Sequence, residues 1–288
     1  MSLNQSGNRI EVFPVLSRFH FRLMSARFTG RLSPDAPLLL GLGGGPGLSG
    51  HYLDNFFFQA STELNITTGI LDLPNHDDSI FPPELTPADY LSAVKVLAST
   101  ILEISGQVKN IILLGHSFGG RIILDILAQE PKIEPSAVFS VCCPYCQDAS
   151  DEYIRKTSGI LVKFNTEEEF RQYWRQILPC YFCVPPSSKL LKNLTLNTSW
   201  VINSPLLLGM PSFSETITHL RNFGSQVGMG RLVFIEGGSD IRLLPNNHDL
   251  IRKDIPEAIF ASIAGAGHFP MYENVSEFLV QIAKNIRN

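Results

Sequence analysis

Apolar residues along this chain fall into two alternating patterns. Short, nearly unbroken apolar blocks occupy residues 38–42, 68–74, 111–114, 137–142, 231–235 and 258–263. Each such block predicts a strand, and those at 38–42 and 111–114 predict buried ones. Between the blocks, apolar residues recur at helical spacing. Tyr90, Val94, Leu97, Ala98 and Ile101 form one such face, opened by Thr86-Pro87-Ala88-Asp89 with its N-cap, first-position proline and acidic first turn. Residues 121–128 and 273–286 read as two more helices. Two β-rich segments, 10–16 and 19–28, precede these units, the second alternating as a half-exposed edge strand does. Strands alternating with helices at such intervals predict an α/β protein with a doubly wound, mainly parallel sheet.

The pattern changes between residues 144 and 228. Glu167-Glu168-Glu169-Phe170-Arg171-Gln172-Tyr173-Trp174 reads as helix, short aromatic and polar segments follow, and no strand is predicted. The expected organisation is therefore a core of residues 1–143 and 229–288 with an inserted helical lid at 144–228. Lids supply aromatic and apolar walls to a pocket, so Trp174 and Trp200 are candidate substrate contacts, with Tyr181 and Phe182 beside them.

Composition narrows the classes. A formal charge of −4 over 288 residues gives no electrostatic footprint for nucleic acid. No apolar run reaches the roughly 18 residues of a membrane span. The polar N-terminal stretch lacks the pattern of a signal peptide, so a cytoplasmic protein is expected. Five cysteines include two C-x-x-C pairs, Cys143/Cys146 and Cys180/Cys183. Four such thiols can hold zinc, but both pairs lie among apolar and aromatic residues, where cysteine is an ordinary small hydrophobe. Buried, reduced thiols are expected, with no metal and no organic cofactor.

The chemistry concentrates where strands end. The 111–114 block stops at Gly115-His116-Ser117-Phe118-Gly119, and a helix follows at once. A turn that sharp demands small residues two before and two after the serine. It presents the Ser117 hydroxyl at a helix N-terminus, beside the Phe118 N–H and the positive end of the helix dipole. The 38–42 block runs into Gly43-Gly44-Gly45-Pro46-Gly47, which lacks the Lys-Ser/Thr of a phosphate-binding loop. Glycine there lets backbone approach a substrate oxygen, which favours the Gly45 N–H as partner to Phe118, with Gly44 as the alternative. Asp240 and His268 follow the 231–235 and 258–263 blocks. A serine hydroxyl needs a base, histidine titrates near working pH, and an aspartate on the far ring nitrogen holds its tautomer. His20, His51, His76, His219 and His248 lack a late, post-strand glycine loop, and His116 flanks the serine, where it is a candidate for contacting substrate. Glu236, Asp249 and Asp254 remain rivals to Asp240.

These motifs resemble the α/β-hydrolase superfamily, in which Gly-x-Ser-x-Gly between strand and helix is the nucleophile elbow and the chain order is Ser, Asp, His. The resemblance covers nearly the whole chain apart from the lid. Gly43-Gly44-Gly45-Pro46-Gly47 is similar to the His-Gly-Gly-Pro-Gly loop of proline iminopeptidases. Asp72-Leu73-Pro74-Asn75-His76-Asp77-Asp78-Ser79 resembles the superfamily's Asp-x-x-Gly-x-Gly-x-Ser segment. The resemblance implies Ser117 as nucleophile, His268 as base, Asp240 as acid, and Gly45 with Phe118 as oxyanion hole. Two departures separate the chain from the peptidases: Gly43 replaces histidine, and the elbow reads Gly-His-Ser-Phe-Gly-Gly rather than Gly-Gly-Ser-Trp-Gly.

The expected activity is hydrolysis of small ester or amide substrates through an acyl-enzyme, with a small molecule as partner. An aminopeptidase with proline preference, a hydrolase of carbon–carbon bonds in ring-cleavage products, and a ligand-binding receptor on the same fold remain alternatives. Nothing in the sequence fixes the oligomeric state.

Overall fold

The computed structural model describes residues 12–15, 24–45, 47–74, 86–146, 166–188, 190–191, 194, 209–223 and 228–286. Trp200, the 75–79 loop, Pro46 and most of the segment expected as a lid lie outside the described residues.

Six parallel strands form the centre of the molecule: β3 (Pro37–Leu42), β4 (Thr67–Leu71), β5 (Asn110–His116), β6 (Ala137–Val141), β7 (Leu232–Gly237) and β8 (Ile259–Ile263). Before them β1 (Val12–Val15) and β2 (Met24–Phe28) pair antiparallel, and β2 joins β4 antiparallel. The eight strands run in the order β1-β2-β4-β3-β5-β6-β7-β8. The crossing order has a plain cause. Each parallel pair needs a helical crossover, and β3 lies between β4 and β5 because the crossovers before and after β4 fall on opposite faces.

The central strands are apolar throughout because both faces are covered. β5 buries Ile111, Leu113 towards one side and Ile112, Leu114 towards the other, as alternating Cβ directions require. One layer holds α2 (Asp89–Ser105), α3 (Phe118–Gln129) and α5 (Phe213–Phe223), which pack through Val94, Leu97, Ile123, Leu127, Ile217 and Leu220. The other holds α1 (Asp54–Leu64) and α8 (Val275–Ile286), through Phe56, Phe57, Phe278 and Ile282. A short helix, α4 (Glu167–Ile177), starts at a capping box of Thr166 and Glu169. Near the C-terminus come α6 (Asn247–Asp254) and the single turn α7 (Pro270–Glu273).

Three expectations are corrected. The 258–263 block, expected to close the core, is a largely unburied edge strand. β8 pairs only with β7, at the end of the sheet, and Ile259 is exposed. The helix Phe213–Phe223 falls within the segment expected as lid, yet it packs on α3 in the core layer. Arg121 of α3 reaches Ser212 O at 2.8 Å and Thr216 Oγ1 at 2.7 Å. The Asp125 carboxylate accepts hydrogen bonds from the Tyr90 and Thr216 hydroxyls. This buried network joins α2, α3 and α5. Cysteine burial also differs from expectation. Cys142 and Cys143 are buried, whereas Cys146, Cys180 and Cys183 are exposed, and all five are free thiols.

Candidate active site

The carboxyl ends of β3, β5, β7 and β8 open on one edge of the sheet, where ligands bind in such folds. At the end of β5 the chain turns from strand to helix through one residue. Ser117 takes φ 53° and ψ −118°, a region that L-residues rarely occupy and that costs on the order of 1–3 kcal/mol. Its N–H donates to Val141 O at 2.7 Å, and its carbonyl accepts from Gly120 N at 3.0 Å and Arg121 N at 3.3 Å. The backbone is thus held on both sides while the side chain projects from the turn. The flanking glycines are required sterically: a Cβ on Gly115 would run into Gly119 O, and one on Gly119 into the Gly43 and Leu42 carbonyls.

His268 and Asp240 meet across the loops that follow β8 and β7. His268 Nδ1 donates to Asp240 Oδ2 at 2.8 Å, with both side chains almost fully buried. Asp240 Oδ1 accepts the Arg242 N–H at 2.8 Å, which fixes the carboxylate's plane. A proton on Nδ1 leaves Nε2 as the basic nitrogen. The rivals to Asp240 are engaged elsewhere. Glu236 accepts from Asn247 Nδ2 at 2.6 Å, Asp249 pairs with Arg252, and Asp254 accepts from Ser214 and Tyr145. Among the other described histidines, His51 contacts Asp54, His219 contacts Ala128 O, and His248 lies beside Glu236. The Ser117 hydroxyl has no hydrogen-bond partner among the described residues. Catalytic contacts of this kind commonly tighten only when substrate is bound.

The His268 loop is pinned from three directions. Its own N–H donates to Tyr181 O at 2.6 Å, the Gly267 N–H donates to Glu273 Oε2 at 2.7 Å, and its carbonyl accepts from His116 Nε2 at 2.7 Å. Glu273 Oε1 also accepts the Cys183 N–H at 2.5 Å. The Cys180-Tyr181-Phe182-Cys183 segment is therefore part of the scaffold of His268. The sequence pattern singled it out for its thiols; its backbone carbonyl is what touches the site. Tyr181 sets its ring edge-on to His268 at 5.2 Å between centroids, and Trp174 packs against Tyr181 at 5.3 Å. Trp174 donates its indole N–H to Leu194 O and lies one ring removed from His268.

Two expected contacts with substrate or oxyanion are altered by the geometry. The Gly44 N–H donates to Tyr52 OH at 2.7 Å and is committed there. Gly45 follows at φ 143°, which glycine adopts freely. Phe118 is the first residue of α3, and its N–H has no carbonyl one turn earlier to donate to. His116 is buried, with Tyr52 OH at Nδ1 (2.6 Å) and His268 O at Nε2. Both ring nitrogens are taken, so the ring offers no free atom to a substrate. Burial, with His268 nearby, drives its pKa well below the usual imidazole value. The same desolvation raises the Cys142 thiol well above its ordinary range.

His116, Cys142 and His268 bring ligand-type atoms within 4.8 Å of one another. The imidazole nitrogens Nδ1 and Nε2 of His116 and Nδ1 of His268 are already hydrogen-bonded, and the thiol is held protonated. The cluster is a hydrogen-bonded core rather than a preformed metal site. No described helix is long and apolar enough to cross a membrane.

A search of curated protein sequences finds no match. Among solved structures, the chain is similar to a proposed aryl esterase from Burkholderia cenocepacia, at 17% identity and a TM-score of 0.76 over 96% of this chain and 98% of that one. It is similar to an esterase from Exiguobacterium antarcticum, at 15% identity and 0.69 over 92% and 97%. It also resembles the proline iminopeptidase of Mycobacterium smegmatis, at 14% identity and 0.69 over 96% and 98%. At such identities the likeness is one of fold. The profile of the Alpha/beta hydrolase family matches residues 38–282, which take in the parallel strands from Leu38 onward and every residue discussed above from Gly44 to Glu273, and the chain belongs to that family.

Proposed function

We propose that this hydrolase uses Ser117, His268 and Asp240 as a catalytic triad on small ester or amide substrates. The observation that carries this reading is the pairing of a strained Ser117 at the end of β5 with a buried His268–Asp240 hydrogen bond of 2.8 Å two loops away.

Ser117 Oγ attacks the substrate carbonyl as its proton passes to His268 Nε2. Asp240 holds the ring and stabilises the imidazolium that forms. The oxyanion of the tetrahedral intermediate accepts from the Gly45 and Phe118 N–H groups, aided by the N-terminal dipole of α3. Collapse breaks the bond to the leaving group, which takes the proton from His268 and departs as alcohol or amine. Water then attacks the acyl-serine, its proton passing to His268. The second collapse releases the carboxylic acid and restores the serine hydroxyl, so one water is consumed per turnover.

Within the segment expected as lid, residues 144–228, the Tyr181 ring meets His268 edge-on and Trp174 packs behind Tyr181.

A fluorophosphonate probe tests the reading. Wild-type protein is expected to become labelled at Ser117, and Ser117→Ala is expected to stay unlabelled. Labelling that survives in Ser117→Ala would overturn the assignment. Hydrolysis of p-nitrophenyl esters against prolyl amides then separates the esterase reading from the peptidase alternative.

A further inference from the structure

Four groups form an ordered chain of hydrogen bonds beneath the site. The His268 carbonyl can only accept, so His116 Nε2, 2.7 Å away, must carry the proton. A neutral ring with a proton on Nε2 has a lone pair on Nδ1, which takes the Tyr52 hydroxyl at 2.6 Å. The Tyr52 oxygen, having given its proton, accepts the Gly44 N–H at 2.7 Å. Every donor faces an acceptor, in one direction only, from the glycine loop after β3 to the loop of the base after β8. Protonating His116 would turn Nδ1 into a donor and leave the Tyr52 proton without its acceptor. Among the described residues, the other titratable groups facing the ring are the Cys142 thiol and His268 itself. Tyr52 and His116 are both buried, and their rings meet edge-on.

We infer that His116 is a positioning residue: with Tyr52 it couples the placement of the oxyanion loop at Gly44-Gly45 to that of the catalytic base His268. The ring contributes no proton to the reaction. It holds two halves of the site, carried by non-adjacent strands, at a fixed separation. This rests on the triad reading above.

The test uses p-nitrophenyl acetate turnover, thermal unfolding and NMR of the full chain. Tyr52→Phe removes the hydroxyl and keeps the ring, and is expected to lower kcat by about 10-fold to 100-fold with little change in KM, the size expected for slight misplacement of reacting groups. His116→Gln places an amide N–H where Nε2 was and keeps the link to His268. It is expected to retain more activity than His116→Asn, which reaches only Tyr52, or His116→Met, which fills the space without hydrogen bonds. In Tyr52→Phe/His116→Met the two losses are expected to be far from additive, because each breaks the same chain.

A His116→Met protein with wild-type kcat would overturn the inference, as would a loss of kcat that merely follows a loss of thermal stability across the set. The NMR arm does not depend on turnover. The His116 ring nitrogens are expected to report a neutral Nε2–H form from pH 8 to pH 5, and titration of His116 near its ordinary value would sink the relay even in an active enzyme. Absence of Ser117-dependent turnover and labelling would instead remove the triad reading, and with it any positioning role.

Discussion

His268 Nδ1 and Asp240 Oδ2 stand 2.8 Å apart at the ends of neighbouring strands, with exposures of 3% and 1%. In so dry a setting the carboxylate is held by two donors, the imidazole and the Arg242 N–H. Asp240→Asn keeps the shape but can present an amide N–H to Nδ1, which reverses the tautomer and puts the ring proton on the side facing Ser117. The expected result is a fall in kcat of about 10³-fold to 10⁴-fold with a far smaller change in melting temperature. Steady-state kinetics with calorimetry on the same preparation checks both halves. A loss of activity matched by a loss of stability would mean that Asp240 serves the fold alone.

Strain at Ser117 is expected to appear as stability when it is released. The φ of 53° costs on the order of 1–3 kcal/mol for a residue with a Cβ, whereas glycine's greater unfolded entropy costs about 0.5–1 kcal/mol. Ser117→Gly is therefore expected to be inactive yet more stable than wild type by up to about 2.5 kcal/mol, the difference between those two ranges. Ser117→Ala, which keeps the Cβ, is expected to be inactive and close to wild type. Urea midpoints for the three proteins decide the matter: a glycine variant less stable than the alanine variant by about 0.5–1 kcal/mol, the full entropic cost of glycine, would show that the turn is unstrained.

Much of this architecture is legible in the sequence, for physical reasons that also mark where legibility stops. β5 and β6 show as unbroken apolar runs because the sheet is covered on both faces, and Gly115 and Gly119 are visible because the elbow tolerates nothing larger. Helix α1 is not anticipated: its Phe56-Phe57-Phe58 run masks the helical period, though two of the three rings are buried and one is exposed. β8 reads as core from its apolar letters, and only the strand order reveals that it has a single neighbour. His268 is singled out in the sequence by its place after the last strand. Its supports, Tyr181 O, Glu273 and His116 Nε2, are brought together only by tertiary structure, and two are backbone–backbone or backbone–carboxylate contacts with no residue-type signature.

Glu236 sits just before the loop of Asp240, and burial, followed in effect by the nearby acids, pushes its pKa up to about 7 despite the Asn247 hydrogen bond. His248 Nε2 lies 3.3 Å away without hydrogen-bond geometry, and burial with Arg252 lowers that ring to about 4. Near pH 6 both are mainly neutral, so the contact is not an ion pair. The sign follows from proton binding. The folded state holds the Glu236 proton more tightly than the unfolded state, so this contribution is present below about pH 4.5 and is lost as pH rises to about 7. Glu236→Gln is expected to gain on wild type between pH 5 and pH 7.5 by on the order of 1–3 kcal/mol. Paired melts at the two pH values check it, since the difference between proteins cancels the other titrating groups. A pH-independent difference would mean that Glu236 ionises normally.

Asp125 bears the clearest prediction for stability. Its carboxylate is buried and accepts from Tyr90 and Thr216, with Arg121 Nε 3.5 Å away. Burial raises its pKa even though Arg121 and the two hydroxyls oppose the shift. Removing it strands the Arg121 charge, which then keeps only uncharged partners among the described residues, Thr216, the carbonyls before α5 and the face of Phe213. Asp125→Ala is expected to cost about 3–5 kcal/mol, the penalty of an uncompensated buried charge. Removing the charge as well, in Asp125→Ala/Arg121→Met, is expected to recover part of that loss. Because the network is what fastens α5 to α3, hydrogen exchange in residues 213–223 is expected to accelerate in the single variant before the sheet is affected. A double variant less stable than the single one would show that Arg121 holds α5 by itself, and that Asp125 is only its neighbour.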